Sequence, residues 1–290
     1  VKNTISQDIH ERPFLSGKPK ALGRGKRAFV TVVMVALVLA LALRVVASGA
    51  INWSITSSFF FHPAILDGLV MTLELTALSM IVGVLLGIAL AVMAISRYPA
   101  VSAASALYVW IFRGTPLLVQ LIFWFNIALV FPVVGIGAWQ VSINSLVTPF
   151  AAALLGLGLN EAAYMAEIVR AGIKSVDSGQ SEAAVSVGLN RRQVMNSVIL
   201  PQALKVIIPP TANQTIGMLK NTSLVSVIGA QELLTKTEDI YARNFQVIEL
   251  LIVASLWYLV LTTVASAVQF WLERRFGDGR AVEVIAGAQP

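Results

Sequence analysis

The chain of 290 residues is 57% hydrophobic and 12% charged, about half the charged share of roughly 25% usual for soluble domains. With a mean hydropathy of +0.79, this excludes a soluble enzyme or binding module and describes an integral membrane protein. A net charge of +6 would suit nucleic acid, but the basic residues collect beside apolar stretches, as cytoplasmic, lipid-facing charge does, so a nucleic-acid partner is not expected.

In chain order, residues 1–27 are polar and basic, broken by Gly and Pro, and are expected to form a largely disordered cytoplasmic tail. Residues 28–47 are apolar and long enough to cross a bilayer. The basic tail is long for a signal peptide and no small-x-small cleavage site is clear, so 28–47 is expected to be a retained helix, with Arg44 snorkelling to the interface. Residues 28–63 thus form an extra transmembrane helix and its outer connection, ahead of a transmembrane domain at 64–276 and a cytoplasmic tail at 277–290. Five further spans are predicted at 64–95, 104–131, 147–171, 202–230 and 246–271.

With the amino terminus inside, six spans return the carboxyl terminus inside. The inner segments then hold Arg97, Arg170, Lys174, Arg191, Arg192, Arg274, Arg275 and Arg280, while the outer segments hold only Lys236 and Arg243. The positive-inside rule is satisfied. Trp53, Phe59, Phe60, Phe61, Trp139 and Trp271 fall where interfacial aromatics belong. The outer segment 132–146 reads as a short surface helix. The Gly83 and Gly87 spacing predicts close helix packing.

The polar island 182–201, EAAVSVGLNRRQVMNSVILP, lies between two apolar spans. Asp177 or Ser178 can cap a first short helix and Gly188 can stop it. Asn190 with Gln193 makes a capping box for a second, which Pro201 should close. Ala183 and Ala184 leave a bare surface that another protein can approach. A helix-turn-helix DNA reader has a similar outline, but this island is tethered to a bilayer on both sides.

Two intramembrane stretches carry most of the buried polarity. Asn160, Tyr164 and Glu167 recur at helical spacing with Glu161 beside them, and Asn213, Gly217 and Lys220 share a face flanked by Gln214 and Asn221. Such groups are costly in hydrocarbon and should face a wet cavity or the bundle interior. Asn160, Glu161, Asn213, Gln214 and Lys220 are therefore expected to line a path for a zwitterion. The competing reading pairs Glu161 with Lys220 and leaves Asn213 and Gln214 to tie helices together. Pro209 and Pro210 are expected to interrupt the fifth span, so that a half-helix starting near Thr211 faces a carboxylate. With Arg113, Gly114, Thr115 and Pro116 they are candidate gate or hinge positions; helix entry is the alternative for Arg113.

The chemistry of an autonomous enzyme is missing. There is no cysteine, the only two histidines, His10 and His62, lie far apart, and no G-x-x-x-x-G-K-[ST] occurs. These features argue against a metal site, a catalytic dyad and an ATP-binding P-loop.

The island resembles the EAA loop of ABC importer membrane subunits, in which Glu-Ala-Ala, a later Gly and a Leu-Pro ending recur. Here these are Glu182, Ala183, Ala184, Gly188, Leu200 and Pro201, with Val198 where Ile is commoner. Residues 113–120 (RGTPLLVQ), 164–173 (YMAEIVRAGI), 200–203 (LPQA), 208–210 (IPP) and 220–224 (KNTSL) bring the likeness to the polar amino acid permeases. The resemblance covers roughly 67–276.

It implies an all-α type I importer fold with cytoplasmic coupling helices, in the bacterial cytoplasmic membrane with both termini inside. It also implies a partner ATPase dimer holding ATP and Mg, a second permease subunit, an extracytoplasmic amino-acid-binding protein, and no cofactor on this chain. Glu182 would be the charged contact with the ATPase, Ala183 and Ala184 the close-approach surface, and Gly188 the turn between the short helices. The rival from another class is an ion-gradient-driven secondary transporter using Glu161 or Glu74 as its ion site. That rival gives the island no task.

Overall fold

The computed structural model describes residues 24–47, 49, 51–136 and 139–276. The expected basic tail up to residue 23, the tail 277–290 with Arg280, and Gly137 lie outside the described residues. The chain falls into two units, Val1–Asn52 and Trp53–Pro290. In the first, α1 (Arg24–Ala47) contains the predicted span 28–47, carries Arg44 in its last turn, and exposes apolar side chains such as Phe29, Leu37 and Leu43.

The second unit begins with α2 (Trp53–Phe60), which packs on the last helix of the chain. Phe60 stacks on Trp257, whose indole N–H donates to the Phe60 carbonyl at 2.8 Å. α3 (Pro63–Ala94) starts with Pro at its first position and a His62 cap, its Nδ1 accepting from Ala64 N–H. The missing proline N–H is one the first helical turn leaves unpaired anyway. At 32 residues α3 is about 48 Å long, more than a bilayer core of about 30 Å.

The predicted third span, 104–131, is not one helix. α4 (Pro99–Gly114) and α5 (Leu117–Phe125) meet at an angle of 101°, because Pro116 cannot donate to the carbonyl of Phe112 and the helix cannot continue through it. The outer segment also departs from expectation. β1 (Val133–Ile136) pairs antiparallel with β2 (Trp139–Ser142), and a single turn, α6 (Ile143–Leu146), follows. The β-branched residues Val133, Val134 and Val141 favour the extended form over a surface helix.

α7 (Pro149–Lys174) is the axis of this unit. Thr148 caps it, Oγ1 accepting from Ala151 N–H at 3.2 Å. Its small buried residues, including Ala152, Ala153, Gly156, Gly158, Ala162 and Ala163, let α3, α4 and α5 come close. Side chains join the layers: Ser105 Oγ donates to Leu90 O at 2.8 Å and Tyr108 Oη to Leu159 O at 2.8 Å. The main apolar core unites Leu75, Leu121, Leu157, Met218 and Val225.

After α7 come α8 (Ser178–Ser186) and α9 (Arg191–Val194), then a π-helical stretch, Met195–Ile199, running directly into α10 (Leu200–Asn221). Pro201 therefore does not close the second island helix. The wide turn before it relieves the clash and the lost donor that would otherwise stop an α-helix there. Nor do Pro209 and Pro210 interrupt the fifth span: α10 passes through both, and Thr211 Oγ1 donates to Ile207 O at 2.8 Å. No new helix start faces a carboxylate at Thr211. A 3-10 stretch, Thr222–Ile228, leads to α11 (Leu233–Asn244) and α12 (Val247–Phe276).

Among the described residues, three helices are long and apolar enough to cross a membrane, and four if the bent α4–α5 pair counts as one span. The fold is predominantly helical and membrane-embedded, as expected, but the count of six spans is not reproduced on length and composition. α10, with its two prolines and Lys205 and Lys220, is too polar to qualify.

Candidate functional site

The island folds as its local chemistry dictates. Asp177 caps α8, Oδ1 accepting from Gly179 N–H at 2.7 Å. The helix ends in a paired closure: Gly188 N–H donates to Val185 O at 2.9 Å and Leu189 N–H to Ala184 O at 3.1 Å. Gly188 holds φ +90°, a left-handed backbone that side chains disfavour. Asn190 and Gln193 cap each other at 2.9 and 3.0 Å to start α9. Glu182 and Ala183 are exposed, but Ala184 turns inward and is buried. The bare surface is therefore Ala183, with Val185 and Val187 beside it at 57% and 79% exposure.

The second cluster forms where α4 bends into α5. Thr115 Oγ1 donates to Ile111 O at 2.8 Å, and Gln120 Nε2 reaches Phe112 O at 2.9 Å, Thr115 O at 3.1 Å and Thr115 Oγ1 at 2.7 Å. From α7, Asn160 Nδ2 donates to Phe112 O at 2.9 Å and to Gln120 Oε1 at 3.3 Å. Arg113 lies 5.2 Å over the Tyr164 ring and 3.8 Å from Glu167. Glu167 is held mainly by Arg170 in a two-pronged pair at 2.6 and 3.0 Å, as the helical spacing predicts. That leaves the Arg113 guanidinium loosely engaged.

These groups border a polar cavity of about 550 Å³, lined by Arg113, Gly114, Thr115, Pro116, Asn160, Glu161, Tyr164, Gln214 and Asn221. Glu161 is 4% exposed, and Gln214 Nε2 donates to its two oxygens at 3.2 and 3.4 Å. A larger hollow of about 620 Å³ between α3, α7 and α10 is almost wholly apolar. Its Thr211 and Thr215 hydroxyls are both committed to helix carbonyls, so the chemistry belongs to the smaller cavity.

The structure thus brings the 113–116 group together with Asn160, Glu161 and Gln214. It does not bring Asn213 or Lys220 there: both are exposed on another face of α10. No ion pair joins Lys220 to Glu161 among the described residues, so the competing Glu161–Lys220 reading does not hold. Leu200 lines the apolar hollow. Pro209 and Pro210 sit within α10, outside the polar cavity.

Sequence reasoning set Tyr164 and Asn221 among the polar groups facing a cavity or the bundle interior but left them off the substrate path, and it passed over Gln120 as an elbow residue. A lone amide in the apolar run LLVQLIFWF was the available signal for Gln120. Glu232 was missed as well. It is fully buried at the start of α11, where it accepts from Tyr258 Oη at 2.6 Å, Thr72 Oγ1 at 3.3 Å and Thr235 N–H at 2.9 Å.

Comparison with known proteins places the chain in a family. Residues 83–278 match the family of binding-protein-dependent transport system inner membrane components. The chain is 42% identical over 262 residues to the arginine transport system permease protein ArgU of Corynebacterium glutamicum, covering 90% of this chain and 83% of that protein. It is 38% identical over 227 residues to the L-cystine transport system permease protein TcyB of Bacillus subtilis, covering 78% and 92%. A solved structure of an amino acid ABC transporter with histidines superposes with a TM-score of 0.67 at 37% identity, over 76% of this chain and 97% of that one. The ion-gradient alternative has no support in these relatives. The protein belongs to the binding-protein-dependent transport system inner membrane component family and is the permease subunit of an ABC importer, with ATP hydrolysis left to a partner subunit.

Proposed function

We propose that this permease passes a polar amino acid with a cationic side chain through the cavity between α4, α7 and α10. The observation that carries the reading is that one polar pocket holds both a buried carboxylate, Glu161, and a loosely engaged guanidinium, Arg113. An amino acid presents the complementary pair: its carboxylate meets Arg113 and its cationic end meets Glu161. Gln214 orients the Glu161 carboxyl and Asn160 holds the adjoining wall. Lys220, which would have opposed a cationic substrate, faces elsewhere. The arginine transporter among the relatives points the same way.

The complex we infer lies in the bacterial cytoplasmic membrane with both termini inside. It contains an ATPase dimer carrying ATP and Mg, a second permease subunit (this chain or a paralogue), and an extracytoplasmic binding protein. Residues 28–63 add a helix and an outer connection to a core at 64–276, and the 175–201 loop meets the ATPase through Glu182, Ala183 and Val187.

Uptake into proteoliposomes that hold the whole complex tests the cavity. Glu161→Gln should raise the arginine concentration for half-maximal uptake about tenfold to a hundredfold, the scale of one charge-assisted hydrogen bond. An unchanged concentration dependence removes Glu161 from the path.

A further inference from the structure

Pro116 has no N–H, so the carbonyl of Phe112 loses its helical partner at the bend. The carbonyl of Thr115 is left over too, because Val119 and Gln120 N–H both turn to Pro116 O, at 3.1 and 3.2 Å. Unpaired carbonyls in a dry setting are costly. Gln120, one turn into α5 and only 7% exposed, reaches back to both. Its orientation is forced: the two carbonyls can only accept, so the amide nitrogen must face them. The remaining amide oxygen accepts from Asn160 of α7, which also donates to Phe112 O. One amide therefore closes the bend and fastens it to the central helix.

We propose that Gln120 is a positioning residue that staples the α4–α5 elbow to α7, so that elbow and α7 move as one rigid body and residues 113–116 keep their places on the cavity wall. The elbow is then a fixed corner and not a hinge. The consequence for uptake rests on the reading that the cavity carries substrate; the mechanical claim does not.

Gln120→Met keeps the size of the side chain and removes its donors and acceptor. The chain has no cysteine, so spin labels can be placed at Leu107 and Phe123, which are 56% and 50% exposed on the two arms. Complexes carrying at most one labelled subunit would be measured at rest and with nucleotide trapped. The parent should show one narrow distance distribution in both states, and Gln120→Met should broaden it. Gln120→Met should also raise the half-saturating substrate concentration about fivefold, the scale of one neutral hydrogen bond, with assembly with the ATPase retained. A distribution as narrow in Gln120→Met as in the parent overturns the staple. A broadened distribution with unchanged half-saturation upholds the staple and overturns the cavity as the substrate path. If Gln120→Met does not assemble, Thr115→Val removes one acceptor of the same amide, and the two outcomes are judged in the same way.

Discussion

Glu232 shows how much one carboxyl can organise. Among the described residues it is fully buried, and it gathers donors from three elements: Thr72 of α3, Thr235 of α11 and Tyr258 of α12. Thr72 Oγ1 in turn accepts from Leu233 N–H at 3.2 Å, so the start of α11 is tied to α3 twice. Glu232→Ala leaves the Tyr258 hydroxyl and the Thr235 N–H without their partner. It should destabilise the purified protein by on the order of 3 kcal/mol, read as a lower thermal unfolding midpoint; an unchanged midpoint would show that water replaces the carboxyl.

Glu232 lies between spans, and burial pushes its carboxyl above the ordinary value of 4.5, against the pull of its hydrogen bonds. A raised acid pKa means that the folded state holds the proton more tightly than the unfolded chain. Its contribution is therefore complete below about 4.5 and is lost as pH rises through the raised value. Glu232→Gln should flatten the fall in unfolding temperature across that window, and a slope equal to the parent's would assign the fall to other groups.

At the scale of elements, α3 and α7 pack in close contact, and the GxxxG spacing in α3 permits it. A Cβ at Gly87 would stand 2.5 Å from Met165 Cβ and 3.1 Å from Ala162 O, and one at Gly83 would stand 2.6 Å from Glu161 Cγ. Gly83 thus also supports the cavity carboxylate from behind. Gly87→Val should destabilise the bundle by about 1–3 kcal/mol through overpacking. Gly217→Ala, where a Cβ meets nothing within 4 Å, should be neutral or mildly stabilising. Equal unfolding temperatures for the two variants would contradict the close approach.

The island helices were readable because their signals are local: Asp177, Asn190 and Gln193 act within a few residues of themselves. Pro201 and the Pro209–Pro210 pair were misread for the opposite reason. A proline stops a helix unless the backbone before it can widen or its neighbours can satisfy the freed carbonyls, and that depends on the surroundings.

For the whole molecule, the question is how force generated in another subunit enters this one. α8 and the residue that follows it leave Glu182, Ala183, Val185 and Val187 exposed, the surface proposed above to meet the ATPase. α9 continues through the π-helical stretch into α10, which carries Gln214 to the cavity. A displacement of α8 would cross the turn at residues 187–190 before it reaches this helical run, which ends at the polar cavity.

Glu182→Lys tests this at the level of the complex. The Glu182 side chain is exposed, so the fold should be retained, while the stimulation of ATP hydrolysis by loaded binding protein and the uptake that depends on it should both fall at least about tenfold through charge reversal at the contact. Normal coupling in this variant would place the energy input elsewhere.

Composition determined that this protein lies in a membrane, the motif order and the family likeness it carries that its energy comes from a partner, and local capping that two short helices, α8 and α9, follow α7. Hydropathy, charge placement and local capping all act along the chain, and a family motif is likewise read along it. Only the tertiary structure decided which polar residues share a cavity. Asn213 and Gln214 are neighbours in sequence, yet one is exposed and the other meets Glu161, because successive helical residues point about 100° apart and packing sets which face of α10 looks inward. That packing joins segments far apart in the chain, as in the fit of Gly83 against Glu161, and no single stretch encodes it.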